Sequence, residues 1–219
     1  MAMDEKQGHQ KHARLVKASW GNGIPEISGL VLAGGKSTRM GLDKTVISYH
    51  GMPQRDYMMQ LLHKVVPNVY LSCHPERVPL VDYKVITDTF LDLGPFGAVL
   101  SAFRFDPNAA WLVVACDFPL LDEETVTQLI GQRDPSKVAT CFHDPSTGFP
   151  EPLITIWEPR AYAVLLQHLS EGNGCLRNVL ISSDAKKINP ELPEVLRNAN
   201  TPEEVKGIRE IISDRSESF

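Results

Sequence analysis

Residues 29–44 read GLVLAGGKSTRMGLDK, an apolar run that leads directly into a glycine-rich loop with cationic side chains. A short run of Leu, Val and Ala bounded by glycine is typical of a fully buried strand, so we expect the first strand at 29–33. The N–H groups of Gly34 and Gly35 can approach phosphate oxygens closely because glycine has no side chain. The stretch therefore predicts a strand that ends in a phosphate-binding loop.

The spacing within this loop separates it from two common nucleotide-binding patterns. Neither G-x-G-x-x-G nor G-x-x-x-x-G-K-[ST] fits, because the later glycine is followed by Leu42. A tight turn with surface charges is the alternative to a phosphate site. The cations beside the glycines favour a triphosphate cradle, in which Lys44 would stabilise the charge developing at the α-phosphate.

Predicted strands and helices alternate along the rest of the chain. Strands are expected at 68–72, 84–87, 111–115, 137–142 and 153–157, and helices at 54–66, 96–105, 159–169 and 202–213, with one more opening at 122–124. This alternation predicts a Rossmann-like α/β fold, with a mostly parallel sheet and right-handed crossovers. Ligands bind beyond the carboxyl ends of such strands, so segments 34–44, 88–97 and 117–119 should line one crevice.

The composition predicts one soluble globular domain at 28–219, preceded by a charged, flexible extension at 1–27. The chain has 219 residues, of which 42% are hydrophobic and 22% charged. A formal charge of -5 argues against a nucleic-acid partner, and no apolar run reaches the roughly 18 residues of a membrane span. Without a CxxC pair, the cysteines are expected to be buried thiols in a reducing, cytoplasmic compartment: Cys73, Cys116, Cys141 and Cys175.

Asp117 follows the most apolar of the predicted strands. A lone carboxylate is costly there unless it is paired or binds a metal ion. Mg²⁺ prefers a few carboxylate oxygens together with phosphate oxygens and water, so Asp117 is the predicted magnesium ligand. A turn or helix-capping role is the alternative.

Residues 32–44 resemble the signature of the molybdenum cofactor guanylyltransferase family, L-A-G-G-x-S-x-R-M-G-x-D-K, and match each of its fixed positions. Three further segments are similar to the family's G-P-L-A/G loop, its P-C-D-M-P-F-L strand end and its N-x-N-T-P-E-D ending. They are GPFG at 94–97, ACDFPLL at 115–121 and NANTPEE at 198–204. The resemblance spans about residues 28–206.

The resemblance implies a nucleoside-diphospho-sugar transferase type of fold and a nucleotidyltransferase reaction. By family, GTP with Mg²⁺ is the donor, and molybdopterin or the molybdenum cofactor is the acceptor. The product is the guanine dinucleotide form of the cofactor, and pyrophosphate is released. The family also implies hand-off to molybdenum enzymes or other cofactor-biosynthesis proteins, and no membrane partner is expected.

The matched positions imply the site residues. Those expected to bind the nucleotide are Leu32, Ala33, Gly34, Gly35, Lys36, Ser37, Lys44, Asp88 and Asp117, and those expected to act in catalysis are Arg39, Lys44 and Asp117. Further candidates are Asn198 near the metal and the loop residues Gly94 and Pro95. Asp88 would recognise the base or the acceptor, with a solvated turn residue as the alternative. Thr201 is expected to cap the last helix, and the alternative to a role of Asn198 near the metal is that Asn and Thr before Pro-Glu-Glu simply start this helix.

Three alternatives stay open. Glu151 stands where the family commonly has glutamine in the acceptor-facing segment 143–153, so the acceptor is open. A related transferase would use CTP or another nucleotide with molybdopterin or a sugar or alditol phosphate. A non-enzymatic nucleotide-binding module that delivers cofactor is the other class, but the joint presence of Arg39, Asp43 and Lys44 with the aspartate at 117 favours catalysis.

Overall fold

A computed structural model describes residues 23–33, 46–78, 82–199 and 201–217. The strands within these residues are β1 (Ile27–Leu32), β2 (Asn68–Cys73), β3 (Val85–Thr87), β4 (Ala110–Ala115), β5 (Ala139–Asp144), β6 (Phe149–Trp157) and β7 (Ala185–Ile188). The α-helices are α1 (Gln54–Val65), α2 (Pro95–Phe105), α3 (Glu123–Gly131), α4 (Ala161–Ser170), α5 (Leu176–Ser182) and α6 (Pro202–Glu217).

The seven described strands form one sheet in the order β3-β2-β1-β4-β6-β5-β7. Strands β3, β2, β1 and β4 are parallel, β6 is antiparallel to both β4 and β5, and β7 is parallel to β5. The sheet is therefore mixed but mostly parallel, which confirms the predicted Rossmann-like α/β class. The parallel strands share one carboxyl edge, and this edge positions the candidate site.

The core lies on both faces of the two central parallel strands. Every residue of β1 and β4 is buried, as expected for strands covered by helices on both sides. Gly29 lets α1 lie close to β1, because a Cβ there would come within 3.0 Å of the Leu62 side chain. Trp111 and Trp157, paired across β4 and β6, are fully buried and lie near the amino edge of the sheet.

The helix boundaries follow the predicted capping chemistry. The side chain of Asp122 accepts a hydrogen bond from the N–H of Thr125 at 2.9 Å and starts α3. Thr201 and Glu204 form a reciprocal capping box at the start of α6, with hydrogen bonds of 3.2 and 3.0 Å. The expectation that Thr201 caps the last helix is confirmed.

The second half of the sheet differs from simple strand and helix alternation. Strands β5 and β6 follow one another as an antiparallel hairpin, whose turn includes Gly148 at a φ of 74°. Helix α5 and strand β7 were not predicted, since elements of 7 and 4 residues carry too few apolar positions to show a period. Both are held in place by contacts with β6 and β5.

Three of the four cysteines are buried, as predicted, but Cys175 is exposed. The correction has a local reason, because Cys175 is the residue before α5 and lies outside the apolar face of that helix. Among the described residues, no helix combines the length and the apolar character that crossing a bilayer requires.

Candidate active site

The exit of β1 lies in the middle of the carboxyl edge, between β2 and β4. The N–H of Ala33 donates to the carbonyl oxygen of Ser72 at 3.2 Å, and the N–H of Cys116 donates to the carbonyl oxygen of Leu32 at 3.4 Å. The chain at Leu32 and Ala33 is therefore hydrogen-bonded to β2 on one side and to the residue after β4 on the other. The site residues predicted beyond them lie outside the described residues: Gly34, Gly35, Lys36, Ser37, Arg39 and Lys44.

Asp88 lies at the end of β3 and is tied to β2. Its N–H donates to the carbonyl oxygen of Cys73 at 3.0 Å, and its carboxylate accepts a hydrogen bond from Ser72 Oγ at 2.9 Å. Burial raises the pKa of the Asp88 carboxyl above its ordinary value, while the Ser72 hydrogen bond and the neighbouring His74 oppose this. The result is a half-buried acceptor that is held in one orientation.

Asp117 lies in the turn after β4 and is half-buried. Its carbonyl oxygen accepts a hydrogen bond from the N–H of Ala199 at 3.0 Å, so the chain just before α6 runs beside this turn. Asn198, which is exposed, directly precedes Ala199 and so lies near this turn. The two predicted site residues are far apart in the sequence, so sequence separation alone does not show that they lie close together.

A second contact holds the same turn from the other side. His50 Nε2 donates to the carbonyl oxygen of Pro119 at 2.8 Å, and the His50 ring stacks on Tyr57 with 3.8 Å between ring centroids. The Tyr57 hydroxyl donates to the carbonyl oxygen of Leu121 at 3.0 Å. Burial lowers the pKa of His50, against the effect of its hydrogen bond to Pro119, so its neutral form is favoured.

The two aspartates are well separated along the edge. Since β3 and β4 are three strand spacings apart, Asp88 and Asp117 lie roughly 14 Å from one another. They cannot share one metal ion, and within the described ranges no group of three or more His, Cys, Asp or Glu side chains is placed so that it could hold one. A single carboxylate is sufficient for Mg²⁺ that is bound mainly through phosphate oxygens and water, so the role of Asp117 as a magnesium ligand stays a prediction.

The loop between β3 and α2 forms one rim of the edge. Ser101 in α2 accepts hydrogen bonds from the N–H groups of Thr89 and Phe90 and donates to the carbonyl oxygen of Gly97 at 2.7 Å. Gly94 starts the helix with a φ of 55°, and Pro95 takes the first helical position, where a missing N–H costs nothing. Both are exposed at the rim.

The C-terminal helix contributes residues that the sequence analysis missed. Arg209 in α6 donates to the carbonyl oxygen of Ser48 at 3.1 Å and lies 5.9 Å from the ring centroid of Tyr49. Burial raises the pKa of Tyr49 to about 12, with Arg209 opposing and Asp117 and Glu204 adding to the rise. Because these residues are more than 150 positions apart, no local pattern could have paired them.

Glu151 is a buried carboxylate on the neighbouring antiparallel strand. The register pairs Trp111 with Trp157 and ends with Val114 opposite Ile154, so Glu151 lies three residues before the last pair and Asp117 three residues after it, both at the carboxyl edge. Glu151 is 6% exposed. Burial raises its pKa; the Leu153 N–H and Arg177 oppose this, while the nearby charges of Asp144 and Asp117 add to it.

Parallel strands that end on two aspartates beside a glycine-rich exit are the arrangement of nucleotide-binding α/β proteins. A model of the MobA-like NTP transferase domain matches residues 29–187. The chain belongs to this family and is a nucleotidyltransferase, as predicted from residues 32–44.

Relatives support the same assignment. The chain is 33% identical over 200 residues to a molybdenum cofactor biosynthesis bifunctional protein from Synechocystis, covering 89% of this chain but only 58% of that longer protein. It is 30% identical over 192 residues to a probable molybdenum cofactor guanylyltransferase from Thermococcus gammatolerans, covering 81% of this chain and 96% of the relative.

Solved structures show the same fold at lower identity. A molybdopterin-guanine dinucleotide biosynthesis protein A from Archaeoglobus fulgidus superposes with a TM-score of 0.70 at 22% identity, over 85% of this chain and 99% of that one. A CMP:2-keto-3-deoxy-manno-octonic acid synthetase has a TM-score of 0.64 at 12% identity, over 87% of this chain and 99% of that one. These likenesses confirm the predicted nucleoside-diphospho-sugar transferase type of fold.

Proposed function

We propose that this protein transfers GMP from GTP to the terminal phosphate of molybdopterin or the molybdenum cofactor. An acceptor phosphate oxygen attacks the α-phosphorus, the bond between the α-phosphorus and its bridging oxygen breaks, and pyrophosphate leaves. The observation that carries the proposal is the placement of Asp117 beside the exit of β1, from which the glycine-rich signature continues. The guanylyltransferase names of the relatives support this donor and acceptor.

The chain's own groups act by positioning and by charge. The backbone N–H groups of residues 34–37 would hold the triphosphate, and Arg39 and Lys44 would stabilise the charge that develops on it. A phosphate acceptor is already ionised near neutral pH, so its attack needs no general base. In-line transfer then depends on holding donor and acceptor together, which the shared carboxyl edge supports.

The magnesium site that we propose consists of Asp117 with phosphate oxygens and water as the other ligands, and Asn198 nearby. When bound, Mg²⁺ would neutralise charge on the phosphates. The hydrogen bonds from Ala199 and His50 hold the backbone of this turn, at the carbonyl oxygens of Asp117 and Pro119.

The position of Asp88 supports GTP as the nucleotide that donates the transferred group. Guanine presents its N1–H and its 2-amino group side by side, and a carboxylate offers two acceptor oxygens to such a pair. Asp88 lies about three strands from Asp117, on the side where the base of a nucleotide would extend if its phosphates lie at the exit of β1. Adenine lacks this pair of donors.

The same proposal covers the compartment and the onward partner. Four free thiols persist in a reducing cytoplasm, and the product would pass to molybdenum enzymes or other cofactor-biosynthesis proteins. Residues 28–219 would form the catalytic domain, with 1–27 as an extension to it.

The first test is calorimetric titration with GTP, CTP, ATP and UTP, each with and without Mg²⁺, followed by pyrophosphate release with molybdopterin. We expect selective, Mg²⁺-dependent GTP binding and turnover. Asp117→Asn should lower turnover by about a hundredfold or more, because metal-ion stabilisation is worth several kcal/mol. A preference for CTP would indicate the related cytidylyltransferase, and binding without pyrophosphate release would indicate a delivery module.

A further inference from the structure

Arg177 and Glu151 form an ion pair at the carboxyl edge. Arg177 is the second residue of α5, which packs on β6, and its Nη2 lies 3.6 Å from Glu151 Oε2. The other carboxylate oxygen of Glu151 accepts the N–H of Leu153 at 2.9 Å. A carboxylate that is 6% exposed would be costly without a cation beside it, so Glu151 holds the guanidinium at this place.

The guanidinium of Arg177 keeps unused hydrogen-bonding capacity. A distance of 3.6 Å allows an ion pair but is too long for a good hydrogen bond. Its Nε is buried and has no hydrogen-bond partner, although the side chain as a whole is 41% exposed. Arginine has five N–H donors in a planar fork, a geometry suited to phosphate and carboxylate oxygens.

The pair lies near the proposed magnesium ligand, Asp117. Glu151 and Asp117 each lie three residues beyond the pair of Val114 and Ile154 that ends the ladder between β4 and β6, and the charge of Asp117 acts on Glu151. The segment before α5 approaches the rim loop before α2, since a Cβ at Gly174 would lie 3.9 Å from the Leu93 side chain. The pair therefore lies on the β6 side of Asp117, away from the Asp88 end of the edge.

An anionic acceptor can bind at this end of the carboxyl edge only if a cation offsets the negative charges there. Asp117, Asp144 and Glu151 all contribute negative charge there, and the charges of the first two act on the third. A phosphate monoester approaching them would be repelled unless a positive group met it. Among the described residues, Arg177 is the cation in contact with Glu151.

We infer that Arg177 binds the anionic group of the acceptor, a phosphate monoester, and that Glu151 is a positioning residue that orients the Arg177 guanidinium. This inference rests on the proposed function and adds to it an acceptor-binding residue outside the signature segments. It separates the two substrates spatially, with the donor nucleotide on the β1 to β3 side and the acceptor on the β6 side.

The test is steady-state kinetics on the full chain, varying GTP and molybdopterin in turn. Arg177→Ala should raise KM for molybdopterin by about tenfold or more, since a hydrogen bond to a charged group is lost, and should leave KM for GTP unchanged. Arg177→Lys should recover part of the loss, because it restores the charge without the planar fork. Glu151→Gln should raise KM for molybdopterin by a smaller factor.

Arg104→Ala is the matched control, because Arg104 is an exposed arginine in the last turn of α2 at the opposite edge of the sheet. Thermal unfolding checks that each variant is folded. If Arg177→Ala is unfolded, the comparison of Arg177→Lys with the wild type tests the inference. An unchanged KM for molybdopterin in the arginine variants, or an equal rise in KM for GTP, overturns the inference. If the wild type binds GTP but does not turn over molybdopterin, the proposed function itself fails, and the inference with it.

Discussion

Asp88 is a carboxylate whose protonation should control GTP affinity. Its pKa is raised by burial, so as the pH falls it takes up a proton at a higher pH than an ordinary aspartate does. The protonated form has lost an acceptor for the guanine donors. We therefore expect the Kd for Mg²⁺-GTP, measured by calorimetry, to rise on going from neutral to mildly acidic pH.

Two matched variants distinguish protonation of Asp88 from a non-specific effect of acidic pH on the protein. Asp88→Asn should bind GTP weakly across the range, with a flattened pH dependence. Asp184→Asn should behave like the wild type, because Asp184 is an exposed residue that pairs with Lys137. A wild-type affinity that stays constant as the pH falls would count against the assignment of Asp88 to the base.

The sequence predicts the position of a site residue when that residue directly follows a strand. Asp88 and Asp117 each follow a strand, and parallel strands bring their carboxyl ends to one edge. Arg177 and Tyr49 could not be placed, because their partners come from distant parts of the chain. Such contacts depend on helix docking, which local periodicity does not encode.

The packing of α2 against the loop before it requires that residue 97 has no side chain. A Cβ at Gly97 would overlap the carbonyl oxygen of Phe90, so the loop that follows Asp88 can rest on the helix only if this position is glycine. Gly97→Ala should destabilise the fold by about 1–3 kcal/mol, the usual range for overpacking. It should also weaken GTP binding, because the loop must move.

Gly131→Ala is the control for this prediction. Gly131 ends α3, and a Cβ there would meet no atom within 4 Å. We expect no destabilisation, and a gain of up to about 1 kcal/mol from helix propensity. Urea unfolding measures both variants, and equal stabilities for the two would remove the steric explanation.

At the level of elements, the apolar periods predicted the long helices and most strands but not their directions. Residues 137–142 and 153–157 carry strand composition, yet nothing in a buried apolar run distinguishes a parallel from an antiparallel neighbour. The hairpin of β5 and β6 is set by the turn at Gly148 and by the insertion of β6 between β4 and β5. These are long-range properties of the sheet.

At the scale of the molecule, a buried ion pair fastens the amino edge of the sheet, opposite the candidate site. Arg133 and Glu158 form two hydrogen bonds of 2.6 and 2.7 Å, with side chains that are 5% and 0% exposed. Arg133 also donates to the carbonyl oxygen of Pro25 at 3.0 Å, so it joins the start of β1 to the ends of α3 and β6.

Breaking this pair on one side should affect stability and not catalysis. Glu158→Gln removes the carboxylate that pairs with the buried Arg133 guanidinium and should cost about 3–5 kcal/mol, measured by chemical denaturation. The double variant Arg133→Met with Glu158→Leu should recover most of that loss. KM for GTP should stay unchanged in any variant that remains folded, and a specific rise in it would contradict the separation of the two edges.

The hydrogen bond from the N–H of Ala199 to the carbonyl oxygen of Asp117 has a consequence for synthesis on the ribosome. The strands that carry the parallel edge emerge early, but the turn at Asp117 gains this support only when residue 199 has left the exit tunnel. Packing of α6 against Tyr49 comes later still. A nascent chain can thus pair the parallel strands β1 to β4 well before its active site is complete, and prematurely terminated chains would be folded in part but catalytically silent.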